Sequence, residues 1–448
     1  MATTAAERRL LLAAGLALAL GFGVLASCAP EAPPQQPAPE RPTSEPPSDR
    51  SPLPVAEPPA ERPAESAEPQ VRIGLAVGAS SVTIGGGDAL VVADPSGARI
   101  AALPAGEQWR IAPSGGAVVL QPPSRVSHPP VEMISVLATD PAGQVRVNGR
   151  TYRGTVEVVR DAEGLTVVNR VLLESYLLGV VSAEMGRRNQ AEFEALKAQA
   201  IVSRTYALRN LHRRKALGFD LHAGVADQVY AGSGSETPEG RDAVTLTRGL
   251  ALTFGGAPID AFYYSTCGGR TADGPEAFRA AARPYLRSFA DVDEHGEAYC
   301  RISPRYRWRE EWTGTALRAT LRRTLPSAAG VRAERAGDVR DVWVAQRTAS
   351  GRVGRLGVTL GADHVMVEGQ TVRQVLRPTS GELLRSSAFT LIADRTGSGI
   401  ARLVAEGSGA GHGVGLCQWG AVGRSRSGQD YPRILAAYYP GATVQRLY

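Results

Sequence analysis

Leu165-Thr-Val-Val-Asn-Arg-Val-Leu-Leu-Glu-Ser-Tyr-Leu-Leu-Gly-Val-Val-Ser-Ala-Glu184 changes its hydrophobic period midway, and that change decides the fold. As far as Asn169 it continues a strand-like alternation; from Leu173 to about Ala183 it reads as a short helix. Upstream, Val71-Arg-Ile-Gly-Leu-Ala-Val, Ser81-Val-Thr-Ile, Ala89-Leu-Val-Val and Ala117-Val-Val-Leu are β-favouring runs broken by Gly, Pro and Asp-Pro turns. Val145-Arg-Val-Asn-Gly-Arg-Thr-Tyr is expected to be a hairpin turning at Asn148-Gly149, and Gly154-Thr-Val-Glu-Val-Val-Arg continues the pattern. Downstream, Phe193, Leu196, Ala200, Ala207 and Leu211 recur at helical spacing, which predicts a longer helix from about Ala191 to Lys215. Strands return at Ala251-Leu-Thr-Phe and Ile259-Asp-Ala-Phe-Tyr-Tyr. Trp312 to Arg323 reads as helix, Val342 to Val367 as strand and Tyr431 to Tyr438 as helix. Helices and strands interspersed without strict alternation indicate an α+β fold, a mostly-β N-terminal region followed by a mixed α/β region.

The chain has 448 residues, too many for one compact core. Arg8 and Arg9 precede the apolar run Leu10 to Ala26, and Leu25-Ala26-Ser27 leads into Cys28. A charged start, an apolar run and small residues before a cleavage point describe an export signal. The segment resembles a bacterial lipobox, which implies that Cys28 is the lipidated first residue of a protein anchored to a bacterial membrane. The alternative is an uncleaved membrane helix, since the run is close to spanning length. Residues 29–69 are rich in Pro, Glu, Ala and Ser and cannot bury enough surface to fold, so they are expected to form a disordered tether. A β-rich region over 70–153 and a second domain over 154–448 complete the expected organisation.

The formal net charge of +6 rests almost wholly on arginine, because Lys197 and Lys215 are the chain's only lysines. Such an excess suits an anionic partner such as cell wall. Basic runs with interleaved aromatics are lacking, which argues against nucleic acid.

Three segments cluster polar, small and aromatic residues. The first runs Tyr176-Leu-Leu-Gly-Val-Val-Ser-Ala-Glu-Met-Gly and continues through Glu194-Ala-Leu-Lys-Ala-Gln-Ala-Ile-Val-Ser-Arg-Thr-Tyr. The second is Ala261-Phe-Tyr-Tyr-Ser-Thr-Cys-Gly-Gly-Arg-Thr, and the third Gly409-Ala-Gly-His-Gly-Val-Gly-Leu-Cys-Gln-Trp-Gly-Ala, with Tyr438-Tyr-Pro-Gly behind it. Glu184 ends an apolar helix, where partial desolvation would raise its pKa towards that of a general acid; a solvated helix-end glutamate is the alternative. Lys197 and Arg204 lie seven apart on one side of the next helix and either hold an acidic group or face water. Tyr206 reads as core more readily than site. His412 sits among glycines that let backbone approach a ligand, but their spacing fits neither a dinucleotide fingerprint nor a P-loop. Cys267, Cys300 and Cys417 have no metal-ligand spacing, so a disulfide such as Cys267–Cys300, or buried free thiols, is favoured over a metal.

Taken in order, these segments resemble the stage II sporulation protein D/LytB family over roughly Gly154 to Tyr448. The resemblance implies a peptidoglycan lytic transglycosylase that cleaves MurNAc–GlcNAc β-1,4 bonds of peptide-stripped glycan strands to 1,6-anhydro products. Glu184 falls on the family's catalytic glutamate, and the remaining motif positions imply Lys197, Arg204, Tyr206, Ser265, Gly268, Gly269, Thr271, His412 and Gln418 as substrate contacts. A cell-wall amidase is the implied partner, and a non-catalytic glycan-binding enhancer of that amidase is the competing reading. The sequence departs from the family pattern twice. Gly186 replaces the usual proline after Glu-Met. In addition, Asp220-Leu-His-Ala-Gly-Val-Ala-Asp has Ala226-Asp227 where a zinc-binding His-Cys pair of some members would lie, so no zinc is expected there.

Overall fold

The computed structural model describes residues 67–124, 127–278, 282–332, 334–397 and 399–448. The expected signal segment, Cys28 and nearly all of the tether lie outside the described residues. The fold is α+β.

Two sheets dominate the N-terminal half, antiparallel throughout except for one parallel edge pair. In the first, the spatial order is Leu221–His222, Gln70–Ala79, Leu165–Leu172, Thr155–Arg160, Met133–Ala138, Leu90–Ala93 and Arg99–Leu103. The second runs Ala117–Gln121, Gln108–Ser114, Val82–Gly85, Val145–Val147 and Arg150–Tyr152. Alternation explains both: Val156 and Val158 point inward, as do Val145, Val147 and Tyr152, and they join Ile73, Ile84, Ile111 and Val136 in one core. The hairpin turns at Asn148 (φ 45°) and Gly149 (φ 83°), the paired positive φ values that its sequence requires. The expected boundary after residue 153 falls between strands that share this core. Gln70–Ala79 pairs along Leu165–Leu172 on one side and, in parallel, with Leu221–His222 on the other.

The strand Leu165–Leu172 runs straight into the helix Leu173–Met185, in which Leu173, Tyr176, Leu177, Val180, Val181 and Met185 are all buried. Apolar on most sides, that helix belongs inside the protein, against Phe193–Arg209 and Pro238–Leu246. It ends at Gly186, whose φ of 67° is closed to proline, and whose N–H donates to Ser182 O at 2.9 Å. The long helix stops at Arg209, six residues before the expected Lys215. Asn210 turns the chain, and His212 takes a positive φ of 63°.

A second hydrophobic core lies between residues 308 and 405, built from Trp312, Leu317, Leu321, Leu325, Val358 and Leu403 among others. Two three-stranded sheets surround it: Arg307–Thr313, Gly399–Ser408 and Phe389–Thr396 in one, Val339–Arg347, Val353–Leu360 and Asp363–Glu368 in the other. The helix expected to start at Trp312 starts at Gly314 and runs to Ala329. Trp312 completes a strand, and the Thr313 side chain caps the helix by accepting from Ala316 N at 3.2 Å. Of the strand expected over Ile259–Tyr264, only Tyr263–Tyr264 pairs, in parallel with Leu416–Cys417. The helix Tyr431–Tyr438 forms as expected, capped by Asp430.

Candidate active site

Glu184 occupies the last turn of its helix and opens into a cleft of about 1350 Å³. Its Oε1 accepts from the Val229 amide at 2.8 Å and from the Tyr263 hydroxyl at 2.9 Å, and its Oε2 accepts from Gln418 Nε2 at 3.2 Å. Three parts of the chain thus converge on one carboxyl. The parallel pairing of Tyr263–Tyr264 with Leu416–Cys417 is what brings the second and third together.

Burial pushes the Glu184 carboxyl above its ordinary pKa, and the three donors, which favour the ionised form, only partly offset that. The other cleft carboxylates differ. Asp227 is met by Arg214 and by the Tyr206 hydroxyl, and Asp260 by Arg209 and Arg283, whose contacts outweigh burial and lower its pKa. Glu382 is exposed. Among the described residues of the cleft, Glu184 is therefore the carboxyl held inside by neutral donors alone, which suits it to keep and deliver a proton.

A buried relay fixes Tyr263. The Tyr176 hydroxyl donates to Gln228 Oε1 at 3.2 Å, and Gln228 Nε2 donates to the Tyr263 oxygen at 3.3 Å. His412 holds the same residue from behind, with Nε2 2.8 Å from Tyr263 O and Nδ1 accepting from Val414 N at 3.2 Å. Burial, with Arg373 and Arg352 nearby, pushes His412 down to about 3, so it is a neutral latch and not a charge.

Of the residues expected at the site, Glu184, Tyr206, Ser265, His412 and Gln418 line this cleft together. Arg204 does not reach it. Fully buried, it binds Glu174 through Nε at 2.8 Å and Nη2 at 2.7 Å, and donates to Leu250 O and Val244 O. Lys197 pairs with Glu194 at 2.5 Å and lies over the Tyr431 ring. Gly268 borders a separate cavity of about 750 Å³ beside Arg307 and Arg352. Gly269 and Thr271 shape the loop: Thr271 Oγ1 accepts from Phe289 N at 2.9 Å. Cys267 and Cys300 are both buried, their sulfurs 3.3 Å apart. His222 packs on Phe219, and its backbone N–H goes to Asp227, whose carboxylate is fully engaged.

Sequence reasoning missed Tyr263, although it lies inside a quoted motif, because a tyrosine in an apolar strand reads as core. It also missed the Val229 amide, for which no side-chain signal exists. Trp419 and Arg188 complete the cleft wall, the guanidinium 4.6 Å above the indole ring. With Arg209, Arg213, Arg305, Arg373 and Arg385 also lining it, the cleft carries more cations than carboxylates.

A family described as stage II sporulation protein matches residues 161–254, and a domain of unknown function matches residues 297–415. An uncharacterized protein of Brachyspira hyodysenteriae is 30% identical over 66% of this chain and 73% of its own length. Stage II sporulation protein D of Bacillus amyloliquefaciens is 30% identical over 62% of this chain and 75% of its own length. The amidase enhancer of Bacillus subtilis is 26% identical over 68% of this chain and 45% of its own length.

Proposed function

Because the chain belongs to the stage II sporulation protein D family, we propose that it cleaves peptidoglycan glycan strands as a lytic transglycosylase, with Glu184 as general acid and then base. The observation that carries this reading is the buried Glu184 carboxyl, held by Val229, Tyr263 and Gln418 in a cation-rich cleft. The protonated carboxyl donates to the leaving glycosidic oxygen. Its conjugate base then accepts the proton of the muramic 6-hydroxyl, and that oxygen closes the anhydro ring. A second carboxylate to activate water is unnecessary, unlike in ordinary glycoside hydrolysis. The three donors stabilise the negative charge that Glu184 acquires midway, when the proton has left and the 6-hydroxyl has not yet supplied another. Trp419 offers a ring face to a sugar, and the arginines offer cations to its carboxylates.

Peptide-stripped strands would come from a cell-wall amidase, in line with the relative named an amidase enhancer. Cys28 would anchor the protein to the membrane at the cell envelope. The test is mass spectrometry of denuded glycan strands after incubation with the protein and with its Glu184→Gln variant. Anhydro-ended fragments from the wild type alone are expected. Binding without cleavage by either protein would instead make this a glycan-binding enhancer.

A further inference from the structure

Behind the cleft, Cys267, Cys300 and Cys417 come together from positions far apart in sequence. All three are buried, and their sulfurs lie within 4.8 Å of one another. Cys267 and Cys300 are 3.3 Å apart, much farther than the roughly 2.05 Å of a disulfide. Two thiolates each about 2.3 Å from one tetrahedral zinc would be roughly 3.8 Å apart, close to what is seen here.

The surroundings suit thiolates. Gly269 N donates to Cys267 Sγ at 3.3 Å, while Cys267 N and Gly420 N each donate to Cys417 Sγ at 3.1 Å. Gly268 (φ 79°) and Gly269 (φ 107°) give their loop the positive φ that turns the Gly269 amide inward, while the Gly420 amide comes from the first turn of the helix Gln418–Arg426, which Cys417 caps. A side chain at Gly420 would strike Tyr438 Oη, Asp291 Oδ2 and Cys417 Sγ, so the backbone there sits directly against the cluster. Asp291 Oδ2 accepts from Cys267 Sγ at 3.4 Å and from Tyr438 at 2.7 Å, while its Oδ1 is taken by Arg424. Three thiolates and one carboxylate carry four negative charges. Arg424 and one divalent ion supply three positive ones.

We propose that Cys267, Cys300 and Cys417 bind one zinc ion, with Asp291 as the neighbouring oxygen that orients or completes the site. On binding, each thiol gives its proton to solvent and each sulfur donates a pair to the metal. The ion would fasten the two short parallel strands that deliver Tyr263 and Gln418 to Glu184. A disulfide would use two of these sulfurs and leave the third unpaired among donors aimed at it.

The experiment uses the full chain, purified in detergent under reducing conditions with an excess of zinc. Metal content is read by mass spectrometry after gel filtration, and the chain is then exchanged with cadmium to look for the ultraviolet sulfur-to-metal band. One zinc per chain and a cadmium band are expected. Cys300→Ser and Cys417→Ser should each lower bound metal at least tenfold, whereas Cys28→Ser and Glu184→Gln should keep it. Retention by Glu184→Gln separates this proposal from the catalytic one. A metal-free wild type overturns the proposal, whether its intact mass is lighter by the two hydrogens of a disulfide or its three buried thiols all titrate on denaturation. Because the metal content of the wild type decides the matter, misfolding of the serine variants would not obscure the outcome.

Discussion

Tyr263→Phe removes one of the three hydrogen bonds to Glu184 and the oxygen that accepts from Gln228 Nε2, while the ring keeps its packing and its backbone still meets His412. The hydroxyl donates to Oε1 at 2.9 Å and so stabilises the ionised carboxylate more than the acid. A hydrogen bond to a charged group is worth about 1.5–3 kcal/mol, and one pKa unit corresponds to about 1.4 kcal/mol. Loss of the hydroxyl should therefore raise the pKa of an already elevated Glu184 by about one to two units. Glu184 must be protonated to start the reaction. The limb of the pH–rate profile on which activity falls as pH rises should accordingly shift upward by that amount, while the maximal rate drops because the transient carboxylate is less well stabilised. The assay is release of anhydro-ended fragments from denuded strands across pH, with Glu184→Gln as the inactive control. A limb that stays in place or moves down refutes the assignment of Glu184 as the proton donor, or of Tyr263 as its partner.

Arg204→Met strands the Glu174 carboxylate in the core and should cost about 3–5 kcal/mol, a large share of the roughly 5–15 kcal/mol that holds a domain together; denaturant melts check it. Burial raises the Glu174 pKa, but Arg204, Tyr448 and Gly249 outweigh it and hold the carboxyl below its ordinary value. The wild-type pair thus contributes fully above the unfolded pKa and loses its contribution as pH falls through the folded one. Gly186→Pro demands a φ near −65° where the chain has 67° and removes the bond to Ser182, so a loss of about 3 kcal/mol is expected by thermal melting. Trp419→Ala should raise KM several-fold with kcat nearly unchanged, reflecting about 1 kcal/mol of stacking, as measured by glycan-strand kinetics.

The position of Glu184 is legible in the sequence, because the shift from strand period to helical period puts it at the closing turn of its helix, but only the family resemblance singles it out from other helix-end glutamates. The hairpin at Asn148-Gly149 is legible for the same kind of local reason. What escapes are properties fixed by distant chain. Helical spacing puts Lys197 and Arg204 on one side of their helix but does not say which partners that side meets, and Glu174, thirty residues upstream, makes Arg204 a core residue. The helix beginning at Gly314 reads two residues early because Trp312 is apolar, although the cap at Thr313 marks the true start. The three cysteines have no ligand spacing because each comes from a different part of the chain, a loop at Cys267, a short helical turn at Cys300 and a strand at Cys417.

The separation of Thr271 from His412 in sequence has a structural cause. Between them lies the second core, and its first and last strands, Arg307–Thr313 and Gly399–Ser408, pair with Arg307 opposite Ser408. Gly409 N donates to Tyr306 O at 3.0 Å, so the chain leaves and re-enters the main body at nearly one point. A segment whose ends meet can be accommodated without disturbing its host. The separate match of residues 297–415 to a domain of unknown function brackets this excursion. The main-body contacts resume at once, because Thr266 and Ala410 exchange backbone hydrogen bonds at 2.8 and 3.0 Å. Cys267 and Cys300 lie before the excursion and Cys417 after it, so an ion held by all three would staple both sides of the junction. Whatever joins those sulfurs therefore stabilises the seam on which Tyr263 and Gln418, and through them the proton on Glu184, depend.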